Sequence, residues 1–414
     1  MSRAGIAIDP DRLMARIRKL GEIGALPGGG VCRLALTEED RAGRDLLVGW
    51  MRELGLEVRI DAIGNIFGLR RGREEGPPVM TGSHIDTVRT GGLYDGALGV
   101  LAGLEIVETL DRAGIGTRHP LVIAAFTNEE GARFPPDMMG SLVHVGALAL
   151  EDALATRGID GETVGACLER IGYAGDAPVG RPEARAFVEL HIEQGPVLER
   201  EGVTIGAVEG VQGISWQALS LRGRSAHAGA TPMAMRRDAG LVAAEIAVFA
   251  RRLAREIGGD QVATVGSLRL SPDLVNVVPE RAELTVDLRH TDDLRLREAE
   301  RRLSAFAAEA AAREGVEIAF RQLARFAPVA FDPAMVARVE ATARRLGRSV
   351  RRMPSGAGHD AQIMARVCPT AMIFVPSVGG ISHNVEEYTA PEDLAAGAEV
   401  LLELLLDLLE GEGA

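Results

Sequence analysis

Hydrophobic and polar positions along this chain follow two successive rhythms. From residue 77 to about 210, short apolar runs alternate with stretches of helical spacing. Residues 121–126 and 186–192 read as buried strands, and 97–110 places apolar side chains on a helical period. Residues 77–81, Pro-Pro-Val-Met-Thr, lead into a loop. Strand then helix, repeated, predicts an α/β fold with a mixed, mostly parallel sheet and helices on both faces. Such sheets gather functional residues in the loops that follow the carboxyl ends of their strands.

From about 214 to 326 the order changes. Strand-like patterning at 216–221 precedes a long amphipathic helix over 237–257, and two further strand-like runs follow at 261–270 and 282–289. A second long helix covers 294–313, with another strand at 317–323. This β-α-β-β-α-β order is the ferredoxin-like split pattern. It predicts a smaller α+β domain, 214–326, inserted into a larger one built from 1–213 and 327–414. The larger domain resumes with a strand at 370–375 and closes with a helix at 391–409. At the other end, residues 1–20 alternate charged and apolar positions and read as an amphipathic helix, not a signal peptide.

Composition narrows the function classes. At 414 residues the chain suits two domains, and 25% charged with 46% hydrophobic residues is ordinary for a globular protein. A net charge of −13 argues against nucleic acid as a partner. A chain this acidic that acts on a small anion must concentrate positive charge locally, through metal ions or a few arginines. Cys32, Cys167 and Cys368 are scattered, which fits a reducing cytoplasm better than a disulfide framework or a structural zinc site. The apolar segment 400–409 is broken by Glu403 and Asp407 and is too short to span a membrane.

Five positions at expected strand ends carry candidate chemistry. His84 lies in GSHIDT, with Asp86 two residues on as a carboxylate able to orient an imidazole; alone, HxD is as readily a loop histidine. Asp95 in GGLYDGA stands where a helix N-cap belongs, and by itself reads as a cap. Glu129 and Glu130 end a buried strand; one acid suits a metal and its neighbour a general base, though an exposed acidic turn would look the same. His191 in HIEQGP and His383 in ISHN each follow an apolar strand. Together, three imidazoles and two carboxylates (His84, Asp95, Glu130, His191 and His383) suit two divalent ions with one shared carboxylate. His119, His144 and His290 have no such context.

The segments GSHIDTV, GGLYDGALGV, FTNEEGARF, ELHIEQGPVLE, GRSAHAGATPM, NVVP, DLRH, SGAGHDAQ and GGISHNVEEYT occur in order across nearly all of residues 80–390. In them the chain resembles the N-carbamoyl-L-amino acid hydrolase and allantoate amidohydrolase family, a branch of the aminoacylase-like dimetal hydrolases. The resemblance implies that Asp95 bridges two divalent ions (zinc, manganese, cobalt or nickel), with His84 and His191 on one and Glu130 and His383 on the other. It makes Glu129 the general base and Asp86 the partner of His84. Related peptidases usually carry a carboxylate where this chain has His191, so the histidine favours the ureido branch. Arg289 would pair with the carboxylate of a small anionic ureido substrate, with Gln194, Asn276, Gly358 and His359 as further contacts. His227 would stabilise the oxyanion in the site of a second subunit, which implies a homodimer. The implied reaction is hydrolysis of the carbamoyl C–N bond of N-carbamoyl-L-amino acids. Allantoate amidohydrolase and β-ureidopropionase are alternatives, a dimetal peptidase or a non-catalytic binding protein more distant ones.

Overall fold

The structure is a computed structural model that describes residues 6–180 and 183–411. Of the expected N-terminal helix, residues 1–5 lie outside the described residues; the helix itself spans Pro10–Gly21. Asp9 caps it by accepting from the amide of Arg12, and Pro10 opens it with its φ already set.

The strands, in chain order, are β1 (Glu57–Ile60), β2 (Ile66–Arg70), β3 (Val79–His84), β4 (Leu121–Phe126), β5 (Ala186–Ile192) and β6 (Ile205–Val211). Then come β7 (Gly213–Arg222), β8 (Ala226–His227), β9 (Val262–Ser271), β10 (Val277–Val278), β11 (Arg281–His290) and β12 (Glu317–Phe326). The chain closes through β13 (Val329–Ala330), β14 (Val350–Ser355) and β15 (Thr370–Val375). They form two compact units: one runs to Gly210 and resumes at Ala330, the other is Val211–Val329.

The larger unit is built on a nine-stranded sheet of order β1-β2-β4-β3-β5-β15-β6-β13, with β14 added on β6. The four middle strands β4, β3, β5 and β15 are mutually parallel, and every residue in them is buried. That is why they read as apolar runs instead of alternating: both faces are covered. The flanking strands are antiparallel, β2 on β4 and β6 on β15, so the sheet is mixed with a mostly parallel centre. β3 extends to His84, past the loop expected from 77–81, because Gly82 lets β4 come close: a Cβ there would lie 2.0 Å from the carbonyl of Ala124.

Helices Ala97–Arg112 and Pro391–Glu410 pack against this centre, the first on β3 and β5, the second on β15. Each fully buried Leu or Ile on them contributes about 1.5–3 kcal/mol relative to exposure. Helix Ala97–Arg112 also buries the carboxylate of Glu105, which Arg12 meets at 2.5 Å and Arg16 at 3.3 Å. Those two arginines dock the N-terminal helix, since an unpaired charge there would be costly.

The smaller unit holds a four-stranded antiparallel sheet of order β12-β7-β11-β9, with helices Ala239–Ile257 and Asp293–Glu314. This is the split βαβ arrangement read from the pattern. Its core joins Leu219, Val242, Ile246, Leu284, Val286 and Leu303. Phe249 and Phe306 stack across the two helices with ring centroids 4.0 Å apart. A short β8–β10 pair carries His227 opposite Val277.

Candidate metal centre

The carboxyl ends of the four parallel strands meet in one region of the larger unit. β3 ends on His84, β5 carries His191 next to its last residue, and the turn after β4 brings Glu129 and Glu130. His383 comes from the loop after β15. Asp95 precedes helix Ala97–Arg112, whose N-cap is Gly96 with φ at +64°; the Asp95 side chain does not cap the helix. A Cβ on Gly96 would sit 2.4 Å from the His84 ring, so glycine lets the helix begin against the imidazole.

All five expected ligands come together. His84, Asp95 and His191 offer ligand atoms within 4.8 Å of one another, and so do Asp95, Glu130 and His383. Asp95 divides its two oxygens between these groups. Its Oδ1 lies 3.1 Å from His191 Nε2 and 3.7 Å from His84 Nε2, while Oδ2 lies 3.4 Å from His383 Nε2. His383 Nε2 is also 3.4 Å from Glu130. Glu129 stands 3.4 Å from His84 Nε2.

The hydrogen bonds around the histidines decide what their inner faces offer. His84 Nδ1 lies 2.9 Å from the carbonyl of Asp86, and His191 Nδ1 lies 2.8 Å from that of Ile192. A carbonyl only accepts, so each Nδ1 carries a hydrogen, and the neutral His84 ring turns a bare Nε2 lone pair toward Asp95, while His191 Nε2 also lies 3.1 Å from the Gly96 amide. Burial keeps His84 neutral, lowering its pKa to about 4. Burial opposes charge on His191 too, but the hydrogen bond and charge of Asp95 outweigh it and raise that pKa to about 9. Asp95 itself is held well below the usual carboxylate range; burial works against this, and bonds from His191 and His383 prevail. Around them, burial and then the charge of Asp360 raise Glu129 well above its usual range, and burial and then Asp95 do the same for Glu130. The lone pair of His84 and the crowded carboxylates, with two further imidazoles drawn to Asp95, form a donor set that suits cations in place of protons.

Asp86 is the expected neighbour of His84, but through a different atom. Its carboxylate is 3.9 Å from His84 Nδ1 and instead accepts from the amides of Glu129, at 3.2 Å, and Glu130, at 3.4 Å. The backbone carbonyl orients the imidazole, and the carboxylate braces the turn that bears the two glutamates. Burial raises its pKa to about 7.

Gln194 donates to Asp95 Oδ2 at 2.9 Å, and its buried Oε1 has no partner among the described residues. His359 is buried, bonded to the Ser355 hydroxyl at 2.9 Å, with its ring 4.5 Å from that of His191. Gly358 is closely packed: a Cβ would meet Met138 at 2.5 Å. In the smaller unit, His227 is exposed, and its Nδ1 accepts from the amides of Gly229 and Ala230 at 3.0 and 3.1 Å. Its neutral ring therefore carries the proton on Nε2, where it can donate. Asn276 is exposed on the loop before β10, and Arg289 on β11 pairs with Asp287 at 2.9 Å.

Sequence reading passed over several polar residues that the fold buries here. Glu189 accepts from the Ser83 hydroxyl at 2.6 Å and the Ala361 amide at 2.8 Å. Glu387 and Ser382 join the same region, and Asp360 is fully buried. Each lies inside a quoted motif, and Glu189, a carboxylate within the buried strand that also carries His191, is the clearest signal available.

The described thiols are free, and no helix among the described residues is long and apolar enough to cross a membrane. Peptidase family M20/M25/M40 matches residues 80–407. An N-carbamoyl-L-amino-acid amidohydrolase of Rhizobium meliloti is 43% identical, over 97% of this chain and 97% of its own length. A ureidoglycolate hydrolase of Arabidopsis thaliana is 36% identical, over 96% of this chain and 86% of its own. The crystal structure of a hydantoinase/carbamoylase family amidase from Burkholderia multivorans is 47% identical and superposes with a TM-score of 0.96, covering 98% of this chain and 99% of that one. With this near-complete coverage, the chain belongs to the M20/M25/M40 family of hydrolases, in the branch of the N-carbamoyl-L-amino-acid amidohydrolases.

Proposed function

We propose that this protein hydrolyses the carbamoyl C–N bond of N-carbamoyl-L-amino acids, releasing the L-amino acid, carbon dioxide and ammonia. The observation that carries the reading is the double use of Asp95, one oxygen toward His84 and His191, the other toward His383. Two divalent ions, zinc, manganese, cobalt or nickel, fit this donor set, one with His84, His191 and Asp95, the other with Glu130, His383 and Asp95. When bound, they supply Lewis-acid polarisation of the ureido carbonyl and a lowered pKa for water.

The remaining chemistry falls to side chains. Glu129 takes a proton from the attacking water as its oxygen bonds to the carbamoyl carbon. Glu129 then returns that proton to the α-amino nitrogen as the C–N bond breaks. The carbamic acid left behind falls apart to carbon dioxide and ammonia. His227, with its donor on Nε2, holds the developing oxyanion. Arg289 pairs with the substrate carboxylate, and Gln194, Asn276, Gly358 and His359 orient the remainder. We read the smaller unit as the dimerisation domain, with His227 serving the neighbouring chain's site. Free thiols accord with a cytoplasmic enzyme.

The Arabidopsis relative, by name a ureidoglycolate hydrolase, favours a second reading within the same chemistry, in which the substrate is another small ureido acid; allantoate is the alternative that the sequence motifs imply. Side-by-side assays of N-carbamoyl amino acids, allantoate and N-carbamoyl-β-alanine, each with the four metals, decide the matter. The highest kcat/KM is expected on an N-carbamoyl-L-amino acid; no hydrolysis of any ureido substrate would overturn the proposal.

A further inference from the structure

Two of the ligands come from loops far apart in the chain: Asp95 from the turn before helix Ala97–Arg112, His383 from the segment after β15. His383 is the least supported of the set. Its side chain is half exposed, and its backbone has a φ of +54°. What joins the loops is the carboxylate of Glu387, only 4% exposed. Its Oε1 accepts from the backbone amides of Tyr94 at 3.1 Å and Asp95 at 3.2 Å. Its Oε2 accepts from the Ser382 hydroxyl at 2.8 Å, and that hydroxyl is also 3.2 Å from Asp95 Oδ2. The turn at Gly92 is shaped around it, since a Cβ there would stand 2.0 Å from Glu387 Oε1.

We propose that Glu387 is a positioning residue that locks the Asp95 turn to the His383 loop and so sets the affinity of the centre for the ion shared by Asp95, Glu130 and His383. The inference rests on the dimetal reading above. Ser382 has one hydroxyl proton between two carboxylates, and the shorter contact places it on Glu387. Asp95 Oδ2, which already accepts from Gln194 at 2.9 Å, is thereby spared a second full donor and keeps a lone pair for a cation. With an amide at position 387, one arm becomes an N–H donor facing Ser382. The serine proton then turns to Asp95 and competes with the ion. Partners that orient metal ligands typically set affinity by about 10- to 100-fold.

The test titrates metal-free protein with Mn²⁺ or Co²⁺ by calorimetry, with no substrate present, and reads metal-free thermal stability alongside. Because hydrolysis is not measured, failure of the substrate assignment and failure of this inference are separable. Glu387→Gln is expected to weaken one of the two ions about tenfold or more, leave the other within about threefold, and keep the metal-free melting temperature near wild type. The d–d spectrum of the Co²⁺ form should shift, as a changed ligand geometry requires. Ser382→Ala, which leaves Glu387 on its two backbone amides, should weaken the same ion by a smaller factor. Unchanged affinity for both ions in either variant overturns the proposal. So does a Glu387→Gln protein whose metal-free form has lost stability while its ions bind as in wild type, for Glu387 would then be a fold brace only.

Discussion

The guanidinium of Arg44 donates to the hydroxyl of Thr127 at 3.2 Å, across 83 residues of chain. The same side chain holds the carbonyl of Gly64 at 2.6 Å and the carboxylate of Asp40 at 2.8 Å. Thr127 is the residue from which the chain turns into Asn128, Glu129 and Glu130. Helix Glu38–Glu53 thus reaches through Arg44 to the base of the turn that carries Glu129 and Glu130 of the candidate centre.

Arg44→Met should therefore destabilise the protein severely. Arg44 and Asp40 are both buried, and removing the cation leaves Asp40 an uncompensated charge. The usual cost of breaking such a pair is about 3–5 kcal/mol. Urea unfolding of the variant measures it; a loss under about 1 kcal/mol would show the pair to be dispensable.

Glu129→Gln should retain both ions but lose about a hundredfold or more in kcat, the scale of general acid–base assistance. Glu130→Gln should instead lose metal. Elemental analysis and steady-state kinetics on both variants separate the roles, and an exchange of the two phenotypes would reverse the assignment.

Stripping metal with a chelator and reloading should give two ions per chain and raise the melting temperature. Ions that bind only the folded state stabilise it by about 2.7 kcal/mol at a hundredfold excess over Kd. Full activity at one ion per chain would refute the sharing of Asp95.

Arg289→Lys should raise KM for N-carbamoyl amino acids by about tenfold or more, because an ammonium cannot reproduce a forked pairing with a carboxylate. The same variant assayed on an N-carbamoyl amino acid amide should change by less than about threefold. Equal losses on both substrates would place the carboxylate elsewhere.

Mixing His227→Ala with Glu129→Gln and allowing subunit exchange tests the shared site. If His227 acts across a dimer, half the dimers are mixed and each has one intact site, so up to about a quarter of wild-type activity returns. If it serves its own chain, every site keeps one lesion and nothing returns.

The parts of this fold most legible in the sequence are those buried on both faces. β4, β5 and β15 read directly as apolar runs, and the helices at 239–257 and 293–314 by their period. The outer strands β1, β2 and β14 are only partly buried and mixed in composition, which leaves no unbroken apolar run to read. At the site, residue type and strand-end placement pick out the five residues that the structure brings together. The role of Asp86 divided unexpectedly, since residue type does not say whether a carbonyl or a carboxylate will meet the imidazole. By sequence alone Asp95 reads as a helix cap as readily as a candidate ligand; the structure places Gly96 at the N-cap, with no cap bond from the Asp95 side chain.

The placement of β15 between β5 and β6 has a consequence for biogenesis. A ribosome makes β5 and β6 early, then the whole of the second unit, and only afterwards the strand that belongs between the first two. Until residue 375 has emerged, both neighbours present unsatisfied edges, the condition in which nascent chains associate wrongly. The second unit, whose antiparallel strands need nothing synthesised later than β12, can finish folding in that interval. Chains truncated before Thr370 should then carry a folded insert on an open, aggregation-prone half-sheet.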